Sequence, residues 1–518
     1  MPLDHCLVCA FTPIVDSINT PISPSPSLLG TNHAATEKET GDIKTILLDV
    51  HRDLRTLDDA LKDLQDIQDQ LSKKRQELLA FSTEHRSAIS PMRRMPAELL
   101  AEIFRHMTTI TSVNDYNRVS AIQEATLPTH ICRRWRDIAI SIPALWSNIS
   151  VRIARRDNLP SLTRAQTWIS RTAGYPLSVQ LVWLSQAPDK DWVSLLDIII
   201  PHAARWRSLK IDIASDRREH HLSAIRHNIP MLDTVHISQM SEWLDIFELA
   251  PQLRRATFNI NTAALPKLRL PWAQLTYCRP GRLSVAACLG MLQRCPNLVS
   301  LDANLIHEMS AILTPPVSLP YLSTLIIYAE CDTTSFFLSL ALPSLTEIEY
   351  YADDEDTDTT AVPFTSVLSS PIKTLTATTS HPVDVDDLAE VLKSVPNIEH
   401  LALFDFSSSV TTSRNLQTIL THTPGAQCIS PMLQSLEIDY CEDDWELSDI
   451  ELFLGMLESR WTPPAGTGVP ISRLQSIGLR CVYVHHLHPL LLERLRALAV
   501  EGMDIKLHGR HNRLPSTL

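Results

Sequence analysis

Glycine is scarce in this chain, with 12 in 518 residues. Phosphate-cradling loops need several glycines at fixed spacing, and no Walker-type loop is present. Neither a Gly-x-Ser-x-Gly elbow nor a His-Glu-x-x-His zinc pair occurs. Positive charge is short too: 46 Lys and Arg stand against 59 Asp and Glu, a formal charge of −13. That balance speaks against a nucleic-acid partner bound by phosphate neutralisation. Arg152, Arg155 and Arg156 form one small basic cluster, which reads as a solvated face. Long apolar runs are missing, so neither a transmembrane helix nor a membrane partner is expected. No basic segment leads into an apolar run near the start, so no signal peptide is expected. Ten cysteines in so long a chain do not make a disulfide scaffold. Cys132, Cys288, Cys331, Cys441 and Cys481 sit in apolar stretches and read as buried thiols, which implies a reducing, intracellular compartment, cytoplasm or nucleus.

What is plentiful is proline, at 34 residues, placed where it can punctuate elements. The length exceeds one compact core, so several units or a repeat array are expected. Residues 1–41 read as a disordered tail, with a Pro/Ser/Thr-rich segment from Thr20 to Ser27. His5, Cys6 and Cys9 begin a metal-like pattern, but no second ligand pair follows nearby, so no metal is assigned. Over residues 42–88, Ile43, Leu47, Val50, Leu54, Leu57, Leu61, Leu64, Leu71 and Leu78 make a seam of alternating three- and four-residue steps. Gln68 and Arg75 interrupt it at a-type positions. Such a heptad helix either lies on the next domain or pairs with a second copy as a homodimer.

Residues 89–150 hold two short helical patterns. The first follows Ser90-Pro91 and runs Met-Pro-Ala-Glu-Leu-Leu-Ala-Glu-Ile-Phe from Met95 to Phe104. After a polar spacer the second is expected from His130 to Ile140, with Ile131, Cys132, Trp135, Ile138 and Ala139 on one side. It is followed by Pro143-Ala144-Leu145-Trp146. Two helices this short cannot bury their apolar faces alone, so the rest of the chain or a partner must cover them. This stretch resembles the F-box-like domain, most of all the version in fungal F-box proteins, where a heptad helix precedes the box and the second helix reads Cys-x-x-Trp. Met95 stands where leucine is usual, a volume-conserving change. The resemblance implies docking on a Skp-type adaptor of a cullin-RING ubiquitin ligase. Carried over by position, Met95, Pro96, Leu99, Leu100, Ile103 and Phe104 would enter the adaptor's groove, and Ile131, Cys132 and Trp135 would complete the patch.

Beyond residue 150 a phrase recurs: Pro-x-Leu-x-x-Leu-x-Leu, with other apolar residues allowed at the leucine sites. It begins at Pro230, Pro251, Pro296, Pro320, Pro343, Pro396 and Pro431. Weaker copies surround Leu209, Leu275, Leu375 and Ile477. Amphipathic helices are expected between copies, at residues 241–249, 284–294, 386–395 and 449–458, each ending before the next proline where one follows. Residues 151–514 therefore read as an irregular α/β solenoid of leucine-rich-repeat type with parallel strands. Asn261 and Cys441 occupy the position after the last apolar site, but most copies lack such a residue. The acidic run Asp353–Asp358 lacks the glycine and distal glutamate of a calcium loop. His485, His486 and His488 lack accompanying Cys or carboxylate ligands.

Taken together, the fold class is an α-helical N-terminal part followed by an α/β solenoid. The expected function is a non-catalytic substrate adaptor of a Skp-cullin-F-box ligase, with the array binding an unidentified client protein and no cofactor. The alternative is a ligase-independent interaction scaffold whose box-like helices are internal core.

Overall fold

The computed structural model describes residue 14 and residues 16–109, 126–153, 159–183, 189–213, 219–238, 245–259, 262, 265–307, 316–352, 365–367, 369–378, 385–404, 416–422, 428–439, 445–462, 471–481, 487–509 and 512–517. His5, Cys6, Cys9, Asn261, the acidic run, Cys441, His485 and His486 lie outside them. The chain divides into two compact units, Met1–Leu100 and Ala101–Leu518.

The first unit is built on one helix, Glu37–Ala88, of 52 residues. It begins five residues before the expected residue 42, because Thr36 and Glu39 form a capping box that the heptad count alone does not reveal. The Glu39 N–H donates to Thr36 Oγ1 at 3.4 Å, and the Thr36 N–H donates to Glu39 Oε2 at 2.9 Å. The tail thus gives way to the helix at Glu37 rather than after residue 41. Ahead of it, residues 18–36 hold only the short 3-10 turn Pro26–Leu28. The helix stops at Ser90-Pro91 as proline requires, and the 3-10 turn Pro91–Arg93 follows. No residue of the long helix is buried.

Among the described residues the second unit is dominated by one 16-stranded sheet. Its main path runs in chain order through Asn148–Ile153, Leu177–Trp183, Trp206–Ile213, Thr234–Ile237, Arg255–Phe258, Tyr277–Pro280, Ser300–Ile306, Thr324–Glu330 and Glu347–Ala352. It continues through Thr374–Thr378, His400–Phe404, Ser435–Asp439, Ser476–Cys481, Asp504–Gly509 and Asn512–Thr517. Neighbours pair in parallel until the last strand, which runs antiparallel to Asp504–Gly509. The sheet does not close on itself.

The recurring phrase explains each rung. In the copies from Pro230 to Pro431, the carbonyl before the proline accepts the N–H of the first phrase leucine or isoleucine at 3.2–3.3 Å. Proline therefore occupies the second position of a β-turn, where its fixed φ is already correct. The next two N–H groups reach one carbonyl of the preceding copy. Ser323 and Thr324, for example, donate to Val299 O at 2.9 and 3.2 Å, and Thr346 and Glu347 donate to Ser323 O at 2.9 Å. That shared acceptor sets the register, so equivalent residues stack: Leu301, Leu325 and Ile348 are in line and have no exposed surface. One core of such stacked residues extends from Ile149 to Leu507.

Helices connect some rungs close to where the sequence puts them. They are Val285–Leu292, Val385–Ser394 and Leu447–Trp461, the first capped by Ser284 Oγ accepting from the Ala287 N–H at 3.3 Å. Asp189–Ile199 and Pro489–Val500 are further connectors. Part of the expected helix 241–249 falls outside the described residues, and 245–249 form turns. The weak phrase copies are full rungs. The ladder also exceeds the expected bounds 151–514 at both ends, starting at Asn148 and running to Thr517. The strand Leu177–Trp183 was not expected, since the full phrase does not surround it.

Candidate functional site

The box begins at the close of the first unit. Met95 is half-buried, Pro96 is exposed, and the Pro96 carbonyl accepts the Leu100 N–H at 3.2 Å as the helix Ala97–Thr109 begins. Glu98 sits in its first turn, where a carboxylate suits the helix dipole. Four-residue spacing separates its apolar side chains into two stripes. Leu100 and Phe104 have no exposed surface, whereas Leu99 is 55 % and Ile103 41 % exposed. The F-box resemblance implies one docking surface for all four. The structure turns Leu100 and Phe104 inward and leaves Leu99 and Ile103 in solvent.

The other half of the box lies in the second unit. Residues 126–131 are helical and the chain then breaks at Cys132, whose backbone is extended (φ −157°, ψ 168°). The helix Arg133–Ile140 follows, and the Cys132 carbonyl accepts the Arg136 N–H at 3.0 Å. Arg136 Nε donates back to Thr129 O at 2.8 Å and joins the two segments. The expected single helix His130–Ile140 is therefore two pieces. The break places Ile131 and Cys132 outside, while Trp135, Ile138 and Ala139 turn inward, so these residues do not share one side. Ile131 is 53 % exposed, and Leu127, one turn earlier and overlooked in the sequence, is 52 % exposed. An i, i+4 apolar pair across a proline, Leu127-Pro128-Thr129-His130-Ile131, was the available signal.

Trp135 is half-buried and packs on Phe104, ring centroids 5.1 Å apart. Trp146 is buried, donates Nε1–H to Ala139 O at 2.9 Å, and packs edge-on to Trp168. The Arg171 guanidinium covers it at 4.4 Å. Through the 3-10 turn Pro143–Trp146 this part of the box rests on the first strand and on the helix Leu159–Arg171. It is continuous with the ladder's packing rather than a separate bead.

The polar face of the ladder is the second candidate surface. In-register residues Arg279, Asp302, Ile326 and Glu349 form one row. Arg279 Nε lies 3.3 Å from Asp302 Oδ2. Burial pushes the Asp302 carboxyl above the usual carboxylate range, against the opposing pull of Arg279. Glu349 is also raised, first by burial and then by the charges of Glu347 and Asp302. In the next row Tyr328 and Tyr351 stack at 4.9 Å with their ring planes nearly parallel. Further along, Arg480 makes two contacts with Asp439, at 2.5 and 3.0 Å, while covering the Phe404 ring at 4.3 Å. A Cβ at Gly478 would meet Glu437 Cγ at 2.7 Å, so any larger residue there would displace the Glu437 side chain.

The thiols split. Cys132 is exposed, against expectation, because the helix break turns it outward. Cys288 and Cys331 are buried as expected, and Cys278 and Cys295 join them. Burial pushes the Cys288 and Cys295 thiols up to about 12, so they behave as small hydrophobes. Among the described residues no group of three or more His, Cys, Asp or Glu is placed to hold a metal, and no helix is long and apolar enough to cross a membrane.

The chain is thus a helical N-terminal region followed by an open parallel ladder with many strands. No protein-family model and no curated protein matches its sequence. Solved structures give weak likenesses. The yeast Rad7–Elc1 complex is similar at 12 % identity and TM-score 0.32, over 83 % of this chain and 97 % of that one. A Bacteroides fragilis protein is similar at 13 % and 0.32, over 60 % and 76 %. TLR13, in its complex with ssRNA13, is similar at 12 % and 0.32, over 69 % of this chain and 44 % of that one. This chain thus spans less than half the length of TLR13.

Proposed function

We propose that the chain is a substrate-recognition adaptor of a Skp-cullin-F-box ubiquitin ligase. In this reading the box docks on a Skp-type adaptor, and the ladder, a degenerate leucine-rich-repeat solenoid, holds the client protein. The chain itself performs no chemistry, takes no cofactor, and acts by bringing the client to a ligase within the cytoplasm or nucleus. The observation that carries the reading is the outward placement of apolar box residues. Leu99, Ile103, Leu127 and Ile131 stay in solvent, whereas apolar residues that serve only as core are withdrawn from it. An apolar helical surface entering a partner's groove is a common recognition mode. Leu100 and Phe104, which have no exposed surface, take no part in it. Continuity of the second box helix with the ladder fits a rigid carrier, because proximity is useful only when geometry is fixed.

The test is co-expression with a Skp-type adaptor. The intact chain should co-purify with it. Leu99→Asp combined with Ile103→Asp should remove the adaptor and leave the ladder's melting unchanged, since both side chains are exposed. If the intact chain fails to capture the adaptor, the scaffold reading replaces this one.

A further inference from the structure

The long helix Glu37–Ala88 carries a leucine seam that no neighbour within its own unit buries among the described residues. Leu47, Leu54, Leu61, Leu64, Leu71 and Leu78 are all exposed, and nothing along the helix is buried. A seam of this length is long enough for a coiled coil. We propose that it pairs with the same face of a second copy of this chain, and that the two helices run antiparallel. This inference is independent of the ligase reading.

The direction follows from where the polar residues fall. The seam's a-type sites are Leu47, Leu54 and Leu61 in the first half, then Gln68, Arg75 and Ser82 in the second. Two parallel copies in register would set Arg75 against Arg75 inside the interface. They would also place Asp53, a g-type residue, beside Asp58, the e-type residue of the other copy. Both juxtapositions are repulsive.

Turning one copy end for end about the midpoint between Leu61 and Leu64 removes both. In an antiparallel pair an a-type residue faces a d-type residue, so Leu61 meets Leu64, Leu54 meets Leu71, and Leu47 meets Leu78 of the other copy. Arg75 then faces Val50 near the ends of the pair, where its long stem can carry the charge out to water. The flanking g-type residues also become complementary. Asp53 lies beside Lys74, Ile46 beside Phe81, and Ala60 beside Ile67 of the other copy. Within its own helix Lys74 contacts Glu77 at 3.0 Å, but that pair is solvent-exposed and holds it only weakly.

Sedimentation equilibrium of the full chain tests this. The unsubstituted chain should dimerise. Asp53→Lys and Lys74→Asp should each weaken the dimer roughly tenfold, because two symmetry-related pairs change from opposite to like charge. Combining the two substitutions should restore the original affinity. Leu61→Glu with Leu64→Glu should give monomers in which the ladder melts unchanged. A monomer at the highest soluble concentration, with the helix intact by circular dichroism, overturns the proposal. So does an Asp53→Lys dimer as tight as the original or tighter, as a parallel pair would give, or a double variant that fails to recover.

Discussion

In the ladder, Leu325 has no exposed surface; in the long helix, Leu61 leaves 64 % of its surface in solvent. Both belong to regular leucine patterns. The difference lies in what each period can close on. A strand phrase that repeats along the chain finds its partner in the next copy, because the shared carbonyl of each turn stacks equivalent residues. A heptad seam has no internal copy to face, since its repeats lie along one rod. The same apolar signal therefore marks core where the topology supplies a neighbour, and a solvent-exposed stripe where it does not.

The sharpest way to break this comparison is to truncate one leucine of each kind. Leu325→Ala removes a side chain stacked between Leu301 and Ile348 and should cost about 2–5 kcal/mol in urea unfolding. Leu61→Ala, measured at protein concentrations too low for association, should change stability by no more than about 0.5 kcal/mol. A large loss from Leu61→Ala would show that the helix packs on its own chain.

Arg460 gives the next largest effect and extends the comparison to polar groups. The exposed Arg52 of the long helix pairs with a nearby side chain, Asp49, at 2.9 Å. Arg460 is buried without a carboxylate at hand among the described residues. It donates instead to three carbonyls: Leu420 O at 2.5 Å, Ile429 O at 2.6 Å and Ser430 O at 3.0 Å. Burial draws its pKa down from the usual arginine value. Arg460→Met keeps much of the volume but strands those acceptors, so a loss of about 2–4 kcal/mol is expected in the same unfolding measurement. Arg52→Met should be nearly silent.

A smaller effect is expected at the turns. Pro320 is exposed and sits second in the turn closed by the Leu322 N–H and Leu319 O at 3.3 Å. Pro320→Ala keeps that bond and frees the unfolded chain, so it should cost ~0.4–1 kcal/mol. A loss as large as that of Leu325→Ala would mean that the proline ring itself packs into the core.

Much of the ladder was legible because its signal is written twice, once as proline and once as alternating apolar residues. Leu322, Leu325 and Ile327 can be picked out without a structure. The first two strands were harder, since neither carries the full phrase. The box was legible as two helices but not as a surface. Which stripe of Ala97–Thr109 faces inward depends on Trp135, which meets Phe104 across a long stretch of chain. The break at Cys132 also has no local marker beyond Pro128, and it moves Ile131 and Cys132 to the outside. Helix periodicity says which residues travel together, and only tertiary contacts say which way they point.

The smallest effect concerns the ladder's polar face, where the comparison turns from leucine to carboxylate. The carboxylates of the long helix are exposed or half-buried, whereas Asp302 is buried beside Arg279, and its charge raises the pKa of Glu349 and Tyr277 in turn. Its pKa in the folded chain lies above the usual value because burial outweighs Arg279. The folded state then binds the proton more tightly than the unfolded state. Asp302 accordingly costs nothing below its unfolded pKa, and the cost grows as pH rises through the interval up to its folded pKa. Asparagine imitates the protonated form at every pH. Asp302→Asn should match the original chain in acid and unfold at a slightly higher urea concentration at neutral pH, with the gap opening across that interval. If Asp302→Asn is instead the less stable at neutral pH, the ion pair with Arg279 outweighs desolvation and the row is held together by charge.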